Sequence, residues 1–485
     1  MNFSEFSFWW ILLLFSVPFL TVRYFAKSLN LWQDLFDALG LAFLSALLFF
    51  SASRTSFAIF ICDIIFNYLM VRWMLRAQGD KSKLVATALI IVNVSILAYF
   101  KYLSFFVENV VGYFIPLHDN WRQEFFIPVK TTIPPGVSFF TFHMIAFVVD
   151  SYAAKKKQPI RFLDYLNFVS FFPQLVAGPI ERRRDLLPQI ERFRFKFTVD
   201  NIENGFRWLS LGLFMKFVLA ENIAPYIDLK ITDNAWTIWL FSLLFTLRIY
   251  FDFGGYSFIA VGIASCMGVK LTLNFLAPYT SQSINEFWRR WHITLSTWFR
   301  DYVFIPLMGS NKQWAPFYLF LTFTLSGFWH GAAWNFIIWG AYHGALLLIL
   351  RYLGRPFYGF VGRFAKQPQF ISWLLTFGSV VFGCLFFMES NNHRLITKLK
   401  TLLTPSAYSW QSLLDLIHSY DLNQGVALIV VLTLAFLFLL MEHIAVWQQK
   451  FEYELLLSRW VSPILLGLTV LLAANTPSQF IYFEF

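Results

Sequence analysis

The sequence predicts an all-α integral membrane protein that crosses the bilayer many times. Three observations predict it. Of its 485 residues, 58% are hydrophobic and only 14% are charged, against about 25% charged in a soluble domain. So little charge cannot cover a soluble surface, whereas a lipid-facing surface needs no such cover. Apolar stretches close to the length of a crossing recur from end to end. Aromatic side chains are abundant, with 61 Phe and 19 Trp, which suits lipid-facing surfaces and interfacial belts.

The elements follow in order. Apolar runs at residues 8–22, 31–50, 57–71 and 84–106 are the first candidate spans. Runs at 137–152, 206–219 and 236–251 come next, then 333–350, 373–388, 426–441 and 461–474. This gives about eleven or more membrane helices, several shorter than the ~20 residues of a full crossing. The first run has no basic segment before it and no small-residue cleavage site after it, so it reads as a retained span. Between residues 253 and 331, Gly254, Gly255, Pro278, Pro306, Gly309 and Pro316 interrupt the apolar pattern. No crossings are assigned there, and broken helices at membrane depth usually surround a site. No repeat, linker or soluble domain is evident, so residues 1–485 read as one polytopic domain.

The net charge is +10. The basic residues sit between apolar runs, so they read as topology signals and contacts to anionic lipid headgroups, not as a nucleic-acid surface. Clusters at 72–83, 155–161, 182–196 and 351–366 are expected on the cytoplasmic side, and residues 115–129 outside. Residues 162–178 are apolar, yet basic loops flank them on both sides. Pro173, Gly178 and Pro179 would break a helix there, so the segment is expected to be re-entrant. Two short spans or an interfacial helix are the alternatives. The three cysteines, Cys62, Cys266 and Cys384, are far apart in sequence. They suggest no disulfide framework, metal site or thiol nucleophile.

Two segments carry candidate chemistry. Ser283 and Glu286 have capping-box spacing, so a helix is expected to start there. Trp288, Trp291, Leu295, Trp298 and Tyr302 then recur on one face, and Arg289, His292, Ser296 and Arg300 on another. An amphipathic helix with a basic stripe results. It is either an interfacial helix at the headgroups or part of a site built around His292. The second segment is SGFWHGAAWN at 326–335. His330 is an ionisable group among small and aromatic residues just before a span. A neutral imidazole there can act as a general base towards a hydroxyl, or it can be a hydrogen-bonded packing residue. Gly327 and Gly331 would allow close approach of backbone or substrate. His143 and His343 lie in apolar helices and can be core residues. The absence of HExxH, GxSxG and Walker A patterns leaves metalloprotease, nucleophile-elbow hydrolase and P-loop ATPase without support.

At these segments the chain resembles the membrane-bound O-acyltransferase superfamily, in its bacterial branch of alginate O-acetylation, peptidoglycan O-acetylation and teichoic-acid D-alanylation membrane proteins. The matching stretches are FFPQLVAGPI at 171–180, FWRRWH at 287–292, FRDYVFIPL at 299–307, the 327–335 segment and GAYHG at 340–344. They run in order over residues 134–350, which the resemblance makes the catalytic core. It departs at Phe387-Met388-Glu389, where acetyl-transferring relatives often carry Phe-Arg-Ala. The resemblance implies a ring of spans around a thinned, funnel-like centre. It implies His330 as catalytic and His292 as a second functional residue. It also implies Arg289, Arg300, Trp329 and Asn335 as substrate contacts, with the two arginines holding donor phosphates. No bound cofactor or metal is expected. The donor is expected to be a cytoplasmic thioester such as acetyl-CoA, and the acceptor a hydroxyl of an envelope polysaccharide. A separate periplasmic partner of the SGNH type would complete transfer. The implied location is the bacterial inner membrane. A multi-span transporter or flippase of envelope precursors, or a scaffold, would also explain the composition, though not the Trp-His motifs.

The tail, QFIYFEF at 479–485, is expected on the periplasmic side. From the basic cluster at 351–366, three later spans place it outside. Tyr482 is its only hydroxyl. It is either a transient acyl carrier or part of an aromatic anchor.

Overall fold

The computed structural model describes residues 3, 5–25, 33–114, 134, 136–154, 158–175, 177–364 and 368–474. Among them all regular structure is helical. Eight helices among the described residues are long and apolar enough to cross a membrane, and the chain is an all-α, multi-pass membrane protein. Three of the expected spans fall outside those eight. The helix Val137–Ala153 is apolar but short, as is Val461–Leu472. Residues 206–219 lie in a helix whose N-terminal half is polar. The expected outer segment 115–129, the lysines 155–157 and the tail 479–485 lie outside the described residues.

The chain forms two compact units. The first comprises residues 1–205 with 263–272. Its long helices are α1 (Phe6–Phe25), α2 (Gln33–Ala52) and α3 (Arg54–Arg76), then a run from Gly79 to Phe114, α4, with π-helical turns at Ala98–Tyr102 and Val107–Val111. Apolar side chains such as Leu14 and Val17 of α1 point outward, as lipid-facing residues must. Polar groups turned inward are paired. Arg23 grips Asp37 through two hydrogen bonds of 2.8 and 3.0 Å, and Asn67 and Asn93 bond each other across α3 and α4. Such pairs satisfy groups that lipid cannot.

After α5 (Val137–Ala153) the apolar segment expected to be re-entrant breaks into α6 (Phe162–Ser170) and α7 (Phe172–Leu175). Nine and four residues rise only about 14 and 6 Å, so neither crosses. The Gln174 side-chain amide donates to the Phe168 carbonyl at 2.9 Å, and Gly178 closes the turn through its N–H to the Gln174 carbonyl. Gly178 is required there, because a Cβ would lie 2.8 Å from the Pro173 carbonyl oxygen. This segment is buried in protein, the condition under which irregular backbone is tolerated at membrane depth. The short helix α8 (Arg183–Ile190) follows.

The second unit comprises residues 206–262 and 273–485. It takes in most of α9 (Val199–Leu213), which continues as a π-helical stretch to Ala220, and most of the 32-residue α10 (Ala235–Cys266). The window that makes α10 a candidate span is 94% buried, so it is enclosed by protein. The sequence suggested a break at Gly254-Gly255, but α10 runs straight through. The two glycines serve helix contact instead. A Cβ on Gly255 would stand 2.8 Å from the Gly212 carbonyl oxygen, and one on Gly212 would stand 2.7 Å from that of Gly255. Beside this crossing Lys216 is buried between Glu221 and Asp252, 2.6 Å from each. The unit continues with α11 (Ile284–Arg290), α12 (Ile293–Phe299), α13 (Ala315–His330), α14 (Trp334–Phe364) and α15 (Pro368–Met388). It ends with α16 (Leu422–Trp447) and α17 (Val461–Leu472).

Candidate active site

The site is built from the ends of short helices in the second unit. The first piece is the segment expected to be one amphipathic helix. Ser283 caps it as its spacing predicts, accepting a hydrogen bond from the Glu286 N–H at 3.2 Å. The helix then stops after Arg290. His292 adopts a left-handed backbone, with φ of 41°, and a second helix, α12, starts from it. The cause lies in a distant strip of chain. The Asn274 carbonyl accepts the Ile293 N–H at 2.9 Å, and its side chain accepts the Thr294 hydroxyl at 2.5 Å. Those bonds compete with helix continuation.

The break overturns the basic stripe. His292 is 1% exposed and points into the core, its ring 4.7 Å from Phe253 and 6.4 Å from His330. Arg289 and Arg300 remain exposed, Arg300 paired with its neighbour Asp301. Arg290, which the periodic reading passed over, turns inward to bond Glu286, Glu452 and the Leu276 carbonyl.

His330 is the last residue of α13. Gly331, extended at φ of −163°, ends the helix, and α14 returns antiparallel. The hairpin is tight because Gly327 and Gly340 face each other. A Cβ on Gly327 would collide with the Phe336 carbonyl oxygen, and one on Gly340 with that of Phe323. A Cβ on Gly331 would strike the Phe336 ring. The close approach expected at Gly327 and Gly331 is thus made by the chain itself, not by a substrate.

The His330 ring is held edge-on by Trp329, Trp339 and Phe387, with centroids 5.0, 5.1 and 5.2 Å away. Asn335 is fully buried and its amide donates to the carbonyls of Phe386 and Phe387 at 3.1 and 3.4 Å. It therefore fastens α14 to the end of α15, and through Phe387 it sets the wall against His330. Trp329 is buried beside both imidazoles, 6.2 Å from the His292 ring. Beyond Phe387, Glu389 binds Arg394 at 2.9 Å and Lys398 at 2.7 Å. Burial alone would raise this carboxyl. The hydrogen bonds from Arg394, Lys398 and the Asn391 N–H outweigh it and hold the group below its ordinary value. The Phe-Met-Glu that departs from the acetylating pattern thus supplies one wall residue and one anchor.

His330 borders a small cavity of about 20 Å³, walled also by Tyr279, Phe287, Trp291, Trp339, Cys384 and His343. That is room for one water-sized or methyl-sized group. Sequence reasoning left His343 as a core residue. The signal was present in the Trp339–His343 spacing, which puts both on the face of α14 that carries the His330 wall. Tyr482 lies outside the described residues.

Residues 1–390 match the sequence profile of the MBOAT, membrane-bound O-acyltransferase family. The chain is 34% identical to the peptidoglycan O-acetyltransferase of Helicobacter pylori over 430 residues, covering 80% of this chain and 79% of that one. It is 35% identical to the probable alginate O-acetylase of Pseudomonas aeruginosa, over 72% of this chain and 67% of that one. Identity to the teichoic acid D-alanyltransferase of Bacillus subtilis is 30%, over 59% of this chain and 78% of that one. The protein belongs to the membrane-bound O-acyltransferase family, and it is an acyltransferase.

Proposed function

We propose that this enzyme moves an acetyl group from acetyl-CoA, or a related cytoplasmic thioester, to a hydroxyl of a cell-envelope polysaccharide. His330 acts as general base. The observation that carries this reading is an imidazole on the wall of a small, largely aromatic cavity. Its aromatic walls keep bulk solvent from the thioester and leave the imidazole to take the proton of an attacking hydroxyl. Relatives named for peptidoglycan and alginate acetylation support a polysaccharide acceptor.

His292, in ring contact distance of His330, supports its orientation. Arg289 and Arg300 are exposed and would meet the donor phosphates. The enzyme would work in the bacterial inner membrane with a periplasmic SGNH-type partner. Tyr482, on an outward-facing tail, would carry the acyl group to it. The test is mass analysis of envelope glycans from cells carrying variants of this gene. His330→Ala is expected to abolish O-acetylation while the protein still inserts. Tyr482→Phe, which removes only a hydroxyl, is expected to stop transfer to polymer without stopping CoA release. Near-normal acetylation by His330→Ala would overturn the general-base assignment.

A further inference from the structure

A cavity with one imidazole on its wall explains removal of a proton but not where that proton goes. His330 is fixed by three rings, so it cannot swing from the attacking hydroxyl to the leaving sulfur. The same cavity has a second imidazole. His343 is 1% exposed and lines the same small space. Its Nδ1 meets no hydrogen-bond partner, which is unusual for a buried polar atom.

The surroundings hold this ring in place. Trp339 stands between the two histidines, 5.1 Å from His330 and 4.9 Å from His343, nearly perpendicular to the first. Trp288 closes on His343 edge-on at 5.1 Å. On the facing helix Gly383 makes room, since a Cβ there would stand 2.9 Å from Nε2 of His343. A ring this tightly placed, on the wall of a cavity large enough for one water, is arranged for proton exchange more than for packing.

We propose that His343 is a second acid–base residue of the acyl transfer, coupled to His330 through a water in the shared cavity. The inference rests on the acyl-transfer reading above. The acceptor oxygen bonds the thioester carbonyl carbon and the carbon–sulfur bond breaks. The hydroxyl proton passes to His330, which releases its other ring proton to the cavity water, and that water protonates His343. His343 then gives a proton to the leaving thiolate. The enzyme ends with both imidazoles neutral, and the products are an ester and a thiol.

The experiment uses the full-length protein in proteoliposomes, with acetyl-CoA as donor and free CoA as readout. His343→Gln keeps a polar side chain of similar length but cannot relay a proton. Its kcat is expected to fall about 100-fold while KM for acetyl-CoA stays within about twofold of wild type. The proton inventory in mixed light and heavy water is expected to change from curved to linear. Cys384→Leu fills the cavity from its opposite wall and is expected to give a loss of similar size. The double variant should lose little more, because both changes cut one relay. Cys384→Leu alone carries the test if His343→Gln does not fold. A His343→Gln rate within threefold of wild type, a defect confined to KM, or additive losses would each overturn the relay. If wild type releases no more CoA than His330→Ala, the acyl-transfer reading itself fails. If it does and His343→Gln matches it, only the relay fails.

Discussion

His143 in the first unit and His343 in the second are equally buried, at 0% and 1% exposure, and they end in opposite circumstances. Each is a single histidine in an apolar helix. His143 accepts the backbone N–H of Glu181 at 3.1 Å and packs against Phe168. Its ring thereby satisfies a backbone donor in the irregular turn after α7, a structural task that leaves no room for chemistry at that nitrogen. The Nδ1 of both rings lacks a hydrogen-bond partner, and what sets His343 apart is the cavity that it shares with His330. Burial of an imidazole therefore says little about its role. The adjacent space and the fate of each ring nitrogen say more.

The most severe way to break this comparison, after His330 itself, is through His292. This residue combines both situations, since it is buried beside His330 and also sets a left-handed turn. His292→Ala is expected to lower kcat by at least about 100-fold. His292→Asn separates the two contributions, because Asn tolerates the left-handed backbone but supplies no imidazole. It is expected to recover expression and melting temperature while remaining as slow as the Ala variant. Recovery of activity by His292→Asn, measured as CoA release, would reduce His292 to a turn residue.

A smaller effect is expected at His143. His143→Leu leaves the Glu181 N–H buried without an acceptor, a loss of about 1–3 kcal/mol. Thermal unfolding in detergent should show that loss. The turnover of the folded fraction should stay within about threefold of wild type. A folded His143→Leu protein with no turnover would erase the distinction between the two histidines.

The degree to which these roles were legible follows from where the deciding contacts come from. The all-α membrane class, the capping of α11 by Ser283 and the break at 171–178 depend on composition and local chain chemistry, and they are readable. The position of His330 between two helices is readable, because glycine flanks it on the side where one helix ends and a clear span follows. The course of α11 and α12 was misread, since periodicity counts only neighbours within an element. Asn274, which breaks that helix at His292, is 18 residues upstream of it. Gly254-Gly255 misled for the same reason, because the carbonyl that requires a small residue there belongs to Gly212. His143 and His343 each read as a lone histidine in an apolar helix, and only the Trp339–His343 spacing hints at a difference. What separates them arrives from residues 181 and 384, on other segments of the chain.

The mildest expected effect sharpens the structural side of the comparison through pH. Glu181, whose N–H engages His143, has its own carboxylate buried. It accepts the Thr272 N–H at 2.6 Å and the Thr272 hydroxyl at 3.1 Å. Burial raises its pKa from 4.5 to about 7, and nearby Asp185 pushes the same way. The Thr272 hydrogen bonds and the Arg182 charge oppose the rise without cancelling it. Between pH 4.5 and about 7 the folded protein holds a proton that the unfolded chain has released. Stability must therefore fall as pH rises through that window. The loss is complete only above the folded value, at roughly 1.4 kcal/mol per unit, or about 3 kcal/mol in all. Glu181→Gln keeps an acceptor for the Thr272 N–H and cannot ionise. Its melting temperature should match wild type near pH 4.5 and exceed it by a few degrees at pH 8. Catalysis by the folded enzyme should keep its own pH dependence, because the groups that set it are in the other unit. A Glu181→Gln protein whose melting temperature tracks wild type at every pH would show that this carboxylate stays ionised in the fold.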